Sequence, residues 1–388
     1  MNVTNIETKV IEVVVTARPS WARVKKLIEE YATINGHQSI RLSLVGPAIS
    51  QRYGDISTQL PKWLNFKTFI ALHESDTLDA VALSALEGAS ALVRHWAQNR
   101  PSAVLVIADR TETLGVSIAA AIMQIPLIHL QGGEVSGSID DKIRNANSKL
   151  ADFHLTTNQY TAKNIIKLGE DPENIKIVGC PSIDLVNDVI KNSYFQMQDS
   201  SNIIGVGKDF SLAEPYGVIM FHPDTVNETE NAIWVEEISN LVDDSKINWF
   251  WFWPNPDHGT NIISKFLRRR REQSYLQNVK FIINVEPEIF IKLACGSQIL
   301  IGNSSFGIRE ASFIGLPVLN LGRRQDGRQK ADNVTDIELQ NKKFLFAAYK
   351  KFCGMKFPSS NLYGSGNSGQ LCAKALSEWT PTTKLKKS

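Results

Sequence analysis

The segment AVLVIADRTETLGVSIAAAIMQIPLIHL, residues 103–130, decides the fold class. It opens with an apolar run, Ala103 to Ile107, continues through an Ala-rich helical stretch, Leu114 to Met123, and closes with a second apolar run, Leu127 to Leu130. Short apolar runs of this kind are typical of parallel strands that are buried on both faces, and a helix between them makes the crossover that parallel pairing requires. We therefore predict an α/β fold built on parallel sheets.

The same alternation of apolar runs and helical segments extends in both directions from this segment. In the first half of the chain it predicts further strands at residues 11–15, 40–45, 153–156 and 175–178, and helices at 21–31, 76–98, 140–150 and 161–168. In the second half it predicts strands at residues 217–221, 248–253, 279–283, 298–301 and 317–321. Two similar α/β domains are expected.

A stretch rich in Ser, Asp, Asn and Gly, residues 192–208, interrupts the alternation and is predicted to be a linker. The length of 388 residues suits two or three domains of ordinary size. We expect an N-terminal domain over residues 1–190, a C-terminal domain over 205–370, and a C-terminal helix with a basic tail over 371–388.

Composition excludes several classes of protein. Lys and Arg number 42 against 40 Asp and Glu, and the resulting formal charge of +2 is too small to favour nucleic acid as a partner. The hydrophobic fraction of 43% and the charged fraction of 21% are those of a chain that folds. The four cysteines are widely spaced, without a Cys-x-x-Cys pair, which favours reduced thiols.

The N-terminus lacks the basic start and apolar run of a signal peptide, and no uninterrupted apolar stretch reaches about 18 residues. We therefore expect a cytoplasmic protein that does not engage a membrane.

Polar residues follow the predicted strands directly. Ligands of open parallel sheets bind beyond the carboxyl ends of the strands, so these residues predict a cleft between the two domains. They are Arg18, Asp109, Arg110 and Glu134 in the first domain, and His222, Asn255, Asp257, Ser304, Ser305 and Arg324 in the second.

The stretch Gly302-Asn303-Ser304-Ser305-Phe306-Gly307 precedes a helical segment that carries Glu310. Hydroxyls and backbone N–H groups at a helix N-terminus suit an anion such as a diphosphate, although plain N-capping by Ser304 or Ser305 stays open. The chain has neither a P-loop nor a Gly-x-Gly-x-x-Gly fingerprint after the first strand. A nucleotide bound mainly by the second domain is the remaining interpretation.

The first domain supplies carboxylates at Asp109, Glu112, Glu134, Asp140 and Asp141. Carboxylates at the ends of adjacent strands can have their pKa values pushed apart and so act as acid and base in one reaction. The pair at 140 and 141 also fits a purely helix-stabilising role, because acidic residues favour helix N-termini.

Other features are interpreted as structural. His129 lies within an apolar strand and is predicted to be a hydrogen-bonded core residue. The alternation of Trp249, Trp251 and Trp253 has the period of a strand and predicts one face of a buried strand. A basic run at residues 265–271 is interpreted as a solvated helix face.

Together these motifs resemble the hydrolysing UDP-N-acetylglucosamine 2-epimerases, which make N-acetylmannosamine for sialic acid synthesis. The epimerase half of the animal bifunctional epimerase/kinase is especially similar. The matching segments cover almost the whole chain in the family's order: residues 15–18, 108–110, 132–141, 179–182, 221–223, 254–257, 302–328 and 363–367.

The resemblance implies a glycosyltransferase-B-like architecture, with two Rossmann-like domains and the active site in the interdomain cleft. It implies anti elimination of UDP across C1 and C2 of the sugar, which gives a 2-acetamidoglycal, and then hydration to the free 2-epimeric sugar. Both steps are redox-neutral, so no cofactor and no metal are implied. A UDP-sugar substrate and a homodimer or homotetramer are implied as well.

Residue roles are carried over by motif. Asp109, Glu134 and Asp141 occupy the acid positions that handle protons at C2, C3 and the attacking water, and His222 is a further catalytic candidate beside UDP. Arg110 faces the substrate, and Glu310 binds the ribose hydroxyls. The remaining UDP-binding or substrate-binding positions are Arg18, Asn145, Asn255, Asp257, Val285, Ser304, Ser305, Gly307 and Arg324.

Three positions on the sugar side depart from the family pattern. Asn145 stands where the family has a histidine after Arg144, Ala108 replaces a glycine, and Pro19-Ser20 replaces an acidic residue. The sugar is therefore open between N-acetylglucosamine and a diacetamido sugar of the legionaminic acid type.

Two other functions remain as alternatives: a retaining glycosyltransferase of the same fold, and a UDP-sugar-binding protein that has lost catalysis. The acid cluster favours the epimerase, because removal of the C2 proton needs bases that sugar transfer does not.

Overall fold

A computed structural model describes residues 9–50, 55–73, 77–136, 140–192, 200–223, 228–253, 260–283 and 285–382. The chain divides into two units, one comprising Met1–Glu134, Ile139–Asp184 and Gly364–Ser388, and the other comprising Val135–Ser138 and Leu185–Tyr363. Within the described residues, each unit is built on a seven-stranded sheet with helices between the strands. The predicted fold class, two parallel-sheet α/β domains, is confirmed.

The sheet of the first unit is parallel throughout its described strands, in the order β3-β2-β1-β4-β5-β6-β7. The strands are β1 Ile11–Val15, β2 Ile40–Val45, β3 Phe66–Phe69, β4 Ala103–Ile107, β5 Leu127–Leu130, β6 Phe153–Thr156 and β7 Ile175–Ile177. The helices are α1 Arg18–Asn35, α2 Leu78–Gln98, α3 Thr111–Ile122, α4 Asp140–Leu150, α5 Gln159–Lys167, α6 Pro181–Lys191, in which the chain passes to the second unit, and the C-terminal α13 Ser368–Glu378.

The continuous apolar run of β4 has a simple cause. Alternate residues of a strand point to opposite faces, and both faces of this sheet are covered. Leu105 and Ile107 contribute to one core cluster, whereas Val104 and Val106 contribute to another. Each position of β4 therefore fills one of two cores and is apolar, which explains why this strand could be predicted from sequence.

The second unit has one antiparallel edge strand in an otherwise parallel sheet of the order β14-β13-β12-β9-β10-β11-β8. Its strands are β8 Gly205–Gly207, β9 Tyr216–Met220, β10 Asn248–Phe252, β11 Val279–Ile282, β12 Leu300–Gly302, β13 Val318–Leu321 and β14 Val334–Ile337. Its helices are α7 Glu228–Asp244, α8 Thr260–Glu272, α9 Pro287–Gly296, α10 Ser305–Ile308, α11 Glu310–Ile314 and α12 Leu345–Phe352.

The tryptophan alternation is confirmed as one face of a buried strand. Trp249 and Trp251 are fully buried in one core cluster, and Trp253 packs against the same cluster. The residues between them, Phe250 and Phe252, point to the other face and join a different cluster. The two faces of β10 therefore form the centre of the second unit.

The predicted linker at 192–208 is wrong at its C-terminal end. Residues 205–207 form β8, which pairs with β11, while residues 193–199 lie outside the described part of the chain. A Cβ at Gly207, whose φ is +121°, would lie 2.2 Å from the carbonyl oxygen of Val279. Glycine is present here because two backbones approach closely, not because the chain is a flexible connection.

The basic run lies on α8, where Arg270 forms an ion pair with Asp243 at 2.9 Å and also contacts the ring of Tyr275. None of the helices in the described ranges combines the length and the apolar character that a membrane crossing needs.

Candidate functional site

Three candidate acids of the first unit converge on one buried guanidinium, that of Arg144. Asp109 follows β4, Glu134 follows the neighbouring β5, and Asp141 lies in the first turn of α4. Arg144 is only 1% exposed, and its two terminal nitrogens form ion pairs with the carboxylates of Asp109 and Asp141. Its Nη1 also donates to the backbone oxygen of Glu134 at 2.8 Å. The structure thus brings Asp109, Glu134 and Asp141 together.

The electrostatics follow from this arrangement. Burial by itself lowers the pKa of Arg144, but the charges of Asp109, Glu134 and Asp141 outweigh burial and raise this pKa above its ordinary value. Arg144 therefore stays charged. Its planar fork of N–H donors matches two carboxylates at once, which a lysine could not do in the same way.

Helix α4 buries a polar face against the acid cluster. Asp141 and Arg144 are three residues apart and so lie on the same side of the helix. Asn147 and Ser148, which follow on that side, are fully buried. The buried polar side chains of this helix bond to polar neighbours. Arg144 and Asn147 thereby hold the turn that carries Asp109.

That turn is strained at Ala108, which has a φ of +57°. Its carbonyl oxygen accepts hydrogen bonds from Nε2 of His129 at 2.8 Å and from Nδ2 of Asn147 at 3.3 Å. A non-glycine residue in the left-handed region costs about 1–2 kcal/mol, and such strain often lies at functional sites. The two hydrogen bonds to the carbonyl oxygen of Ala108 fix the turn in this conformation.

His129 is confirmed as a core residue. It is fully buried, its Nδ1 lies 2.9 Å from the hydroxyl oxygen of Ser148, and its Nε2 bonds to Ala108. Burial lowers its pKa to about 4, so the imidazole is neutral near pH 7. The bond to a carbonyl oxygen places the single ring proton on Nε2.

We expect Ala108→Gly to raise the free energy of unfolding by about 0.5–1 kcal/mol, because glycine relieves the strain and loses only one buried methyl group. Ala103→Gly is the control, since Ala103 lies in the extended strand β4 and should lose stability instead. Urea unfolding of both variants checks the signs. A loss of stability in Ala108→Gly would show that the backbone at 108 is not strained.

Glu134 is placed by the two glycines before it. A Cβ at Gly133, whose φ is +80°, would lie 2.2 Å from the backbone oxygen of Thr161, and one at Gly132 would lie 2.7 Å from Oγ of Ser148. The absence of side chains lets the chain press against α5 and α4. The side chain of Glu134 is 6% exposed, and Thr157 donates to its Oε1 at 3.4 Å.

The other predicted residues of the first unit have local partners or are more exposed. Arg110 donates from Nε and Nη2 to both carboxylate oxygens of Glu112, at 3.1 and 3.0 Å, so Glu112 orients Arg110. Arg18 begins α1 after β1 and is half-buried. Asn145 is exposed on α4, one turn beyond Asp141.

In the second unit, the hydroxyl of Ser304 has the capping role that the sequence left open, whereas that of Ser305 bonds to an arginine side chain. Oγ of Ser304 accepts from the backbone N–H of Phe306 at 3.4 Å, and Oγ of Ser305 accepts from Nη2 of Arg309 at 3.1 Å. A hydroxyl that accepts a bond still has its own proton to donate, so both serines can serve an anion as well. Gly307 packs tightly, since a Cβ there would lie 3.0 Å from Val318.

Glu310 is the strongest indication of a ligand in this unit. Its side chain is buried, and among the described residues no hydrogen-bond donor reaches its Oε2, although Nε of Arg309 forms an ion pair with it at 3.8 Å. A buried carboxylate oxygen is costly unless something donates to it. A vicinal diol would supply that donor.

His222 and Arg324 lie within electrostatic reach of each other. Burial and the Arg324 charge lower the pKa of His222 to about 3, so its imidazole is neutral at physiological pH. Val285 is half-buried and packs against the core of this unit. Asn255 and Asp257 lie outside the described residues.

Sequence reasoning missed the residues that hold the site together, chiefly Arg144, Asn147 and Asn303. Arg144 was within a recognised motif, but α4 carries several polar residues, and the sequence does not show that this one is buried. Asn303 was visible only as part of an anion-binding loop.

Two parallel-sheet α/β domains with polar groups at the carboxyl ends of their strands define the glycosyltransferase-B-like class of fold. Residues 33–377 match the sequence profile described as UDP-N-acetylglucosamine 2-epimerase, and the chain belongs to this family.

Known members of the family are similar over most of the chain. The UDP-N,N'-diacetylbacillosamine 2-epimerase (hydrolyzing) of Legionella pneumophila is 29% identical over 279 residues, 71% of each chain. The UDP-N-acetylglucosamine 2-epimerase of Neisseria meningitidis is 27% identical over 359 residues, 90% of this chain and 89% of that one. A crystal structure of UDP-GlcNAc 2-epimerase from Neisseria meningitidis bound to UDP-GlcNAc shares the fold, with a TM-score of 0.77 and 18% identity over 95% of this chain and 99% of that one.

Proposed function

We propose that this protein is a hydrolysing UDP-sugar 2-epimerase, which converts a UDP-linked 2-acetamido sugar and water into UDP and the free 2-epimeric sugar. The observation that carries the proposal is the convergence of Asp109, Glu134 and Asp141 on Arg144. An elimination followed by a hydration needs several groups that exchange protons, and carboxylates held a short distance apart are suited to that work.

The chemistry balances with these residues. A carboxylate removes the C2 proton, the bond between C1 and the UDP oxygen breaks with its electron pair leaving on UDP, and a C1–C2 double bond forms. Water then adds its oxygen to C1 and loses one proton to a carboxylate, while a protonated acid returns a proton to C2 from the opposite face. Orientation by a fixed guanidinium keeps the acids in place for both steps.

The second unit supplies the nucleotide contacts in this proposal. Glu310 accepts from the ribose hydroxyls, which satisfies its Oε2, and Ser304, Ser305 and Arg324 donate to the diphosphate. The neutral imidazole of His222 can donate one hydrogen bond without adding charge. In this proposal the acids of the first unit act on the sugar, and the second unit binds UDP.

The first candidate substrate is UDP-N-acetylglucosamine. Its product would be N-acetylmannosamine, a precursor for the synthesis of a sialic-acid-like sugar. A UDP-diacetamido sugar is the second, favoured by the name of the Legionella pneumophila relative and by Asn145. An exposed carboxamide on α4 can bond to an additional acetamido group but cannot exchange a proton as an imidazole does.

The test is incubation of the protein with each UDP-sugar in deuterium oxide, followed by mass spectrometry and NMR of the products. We expect UDP and a free 2-epimeric sugar with deuterium at C2. A transferred sugar that retains its C2 hydrogen would instead identify a retaining glycosyltransferase. An intact UDP-sugar without exchange, for both substrates, would rule out the epimerase.

We expect Glu310→Ala and Arg324→Ala each to weaken UDP binding by about 10- to 100-fold, because a charge-assisted hydrogen bond contributes about 1.5–3 kcal/mol. Isothermal titration calorimetry measures this without added metal. Asp244→Ala, which removes an exposed carboxylate at the end of α7, is the matched control and should leave the affinity unchanged. Unaltered affinity in both site variants would mean that UDP binds elsewhere.

A further inference from the structure

Asn303, the residue after β12, uses all of its polar groups inside the protein. It is 2% exposed, and its backbone N–H donates to the oxygen of Met220 at 3.1 Å. Its side-chain oxygen accepts from the backbone N–H of His222, and its side-chain nitrogen donates to the backbone oxygen of the same residue, both at 2.8 Å. Its own backbone oxygen accepts from Nε2 of Gln325 at 2.8 Å.

These bonds extend the ladder between β9 and β12 beyond its end. The two strands are in parallel register up to Gly302 and Met220. At Gly302 the backbones are so close that a Cβ would lie 2.0 Å from the Met220 oxygen. The asparagine side chain then bonds to both backbone groups of His222, as a strand neighbour would. Any movement of the His222 backbone would therefore also move the loop that carries Ser304.

A third loop is tied to the same point. Gln325 is 4% exposed, and its Oε1 accepts from Nη1 of Arg328 at 3.0 Å while its Nε2 holds Asn303. Gln325 directly follows Arg324. The loops after β9, β12 and β13 thus meet at Asn303, and each carries one of the groups assigned above to the nucleotide. Buried hydrogen-bond networks that are fully satisfied fix a single arrangement.

We propose that Asn303 is a positioning residue that sets the relative placement of His222, Ser304 and Arg324 for a nucleoside diphosphate. This inference rests on the proposed function, since UDP is the ligand that it assumes. Asn303 acts through its neighbours, because its own donors and acceptors are all engaged. Asparagine suits the role since it can donate and accept at once, whereas an aspartate would face the carbonyl oxygen of His222 with a negative charge.

Asn333 provides a matched control. It is a buried asparagine of the same unit, 4% exposed, which donates to the Leu316 oxygen at 2.7 Å and accepts from Oγ of Ser312 at 2.9 Å. It precedes β14 and so lies at the opposite, amino edge of the parallel strands. Asn303→Ala and Asn333→Ala should lose similar stability, because each leaves buried polar groups unpaired.

Calorimetry with UDP separates the two roles. We expect Asn303→Ala to lose at least 10-fold in UDP affinity, and Asn333→Ala less than twofold. Gln325→Ala, which keeps the bonds between Asn303 and His222, should lose about threefold or more and provides a second variant if Asn303→Ala does not fold. Equal losses in the variants at 303 and 333, or unchanged affinity in the variants at 303 and 325, would overturn the proposal.

Amide hydrogen exchange provides a measurement without ligand. In Asn303→Ala the amides of His222 and Ser304 should exchange at least 10-fold faster than in the wild type, and in Asn333→Ala they should not. Unchanged exchange at both amides would overturn the positioning role. If the wild type bound no UDP, the proposed function would fail, and the exchange rates would still decide whether Asn303 ties these loops together.

Discussion

Glu134→Gln and Asp109→Asn are each expected to lower turnover by about 10³-fold or more while leaving UDP affinity within about twofold of the wild type. An amide has nearly the shape of the carboxyl group but cannot exchange a proton at the operating pH, and general acid–base catalysis contributes about 10²- to 10⁴-fold per group. UDP affinity should persist because its contacts are assigned to the other unit. Steady-state rates and calorimetry on the same preparations measure both quantities.

Asp140→Asn is the control for these amide variants. Asp140 also lies in the first turn of α4, but it is exposed there, whereas the neighbouring Asp141 is paired with Arg144. We expect Asp140→Asn to keep at least half of the wild-type turnover, since its charge would serve mainly the helix N-terminus. Near-normal turnover in Glu134→Gln or Asp109→Asn would remove that residue from the catalytic set.

The strands could be predicted from sequence because burial on both faces leaves an unmistakable pattern. β4 fills two cores and is apolar at every position, and β10 does the same from Trp249 to Phe252. β3 was missed because its residues Phe66–Phe69 are largely exposed at a sheet edge and carry a lysine. β8 was missed because glycines that permit close approach look the same in sequence as glycines of a flexible linker.

The acids of the site could be predicted for a related reason. Asp109 and Glu134 follow strands that pair in parallel, and the carboxyl ends of such strands meet at one edge. What orients them could not be predicted, because a sequence does not show which charged residue of a polar helix is buried. The turn at Ala108 is a second example. The resemblance drew attention to this position, but the hydrogen bonds from His129 and Asn147 that hold the turn could not be predicted from sequence.

Arg144→Met should have the largest effect on stability among the substitutions considered. Removing one partner of a buried ion pair typically costs about 3–5 kcal/mol, because the remaining charge is left without compensation. Asp109 and Asp141 are about a quarter exposed, at 25% and 23%, so water compensates part of this loss and we expect about 2–4 kcal/mol. Chemical denaturation measures it. Turnover should fall by at least about 100-fold, since both carboxylates lose their orientation.

Arg144→Lys separates charge from geometry. A lysine keeps the positive charge but offers a single ammonium group in place of a planar fork, so it cannot hold both carboxylates in the same geometry. We expect stability to fall by only about 1–2 kcal/mol, whereas turnover should still fall by about 10-fold or more. Wild-type turnover in Arg144→Lys would mean that Arg144 neutralises the acids without aligning them.

A change of sign in a double-mutant cycle gives the sharpest test of the Arg144 cluster. In the wild type, Asp141→Asn removes an ion pair and should lower the free energy of unfolding. In the Arg144→Met background the same change removes an uncompensated carboxylate next to Asp109, and it should raise the free energy of unfolding. Effects that simply add would show that Arg144 and Asp141 do not interact. The sign change would show instead that the guanidinium offsets the repulsion between the two carboxylates that it bridges.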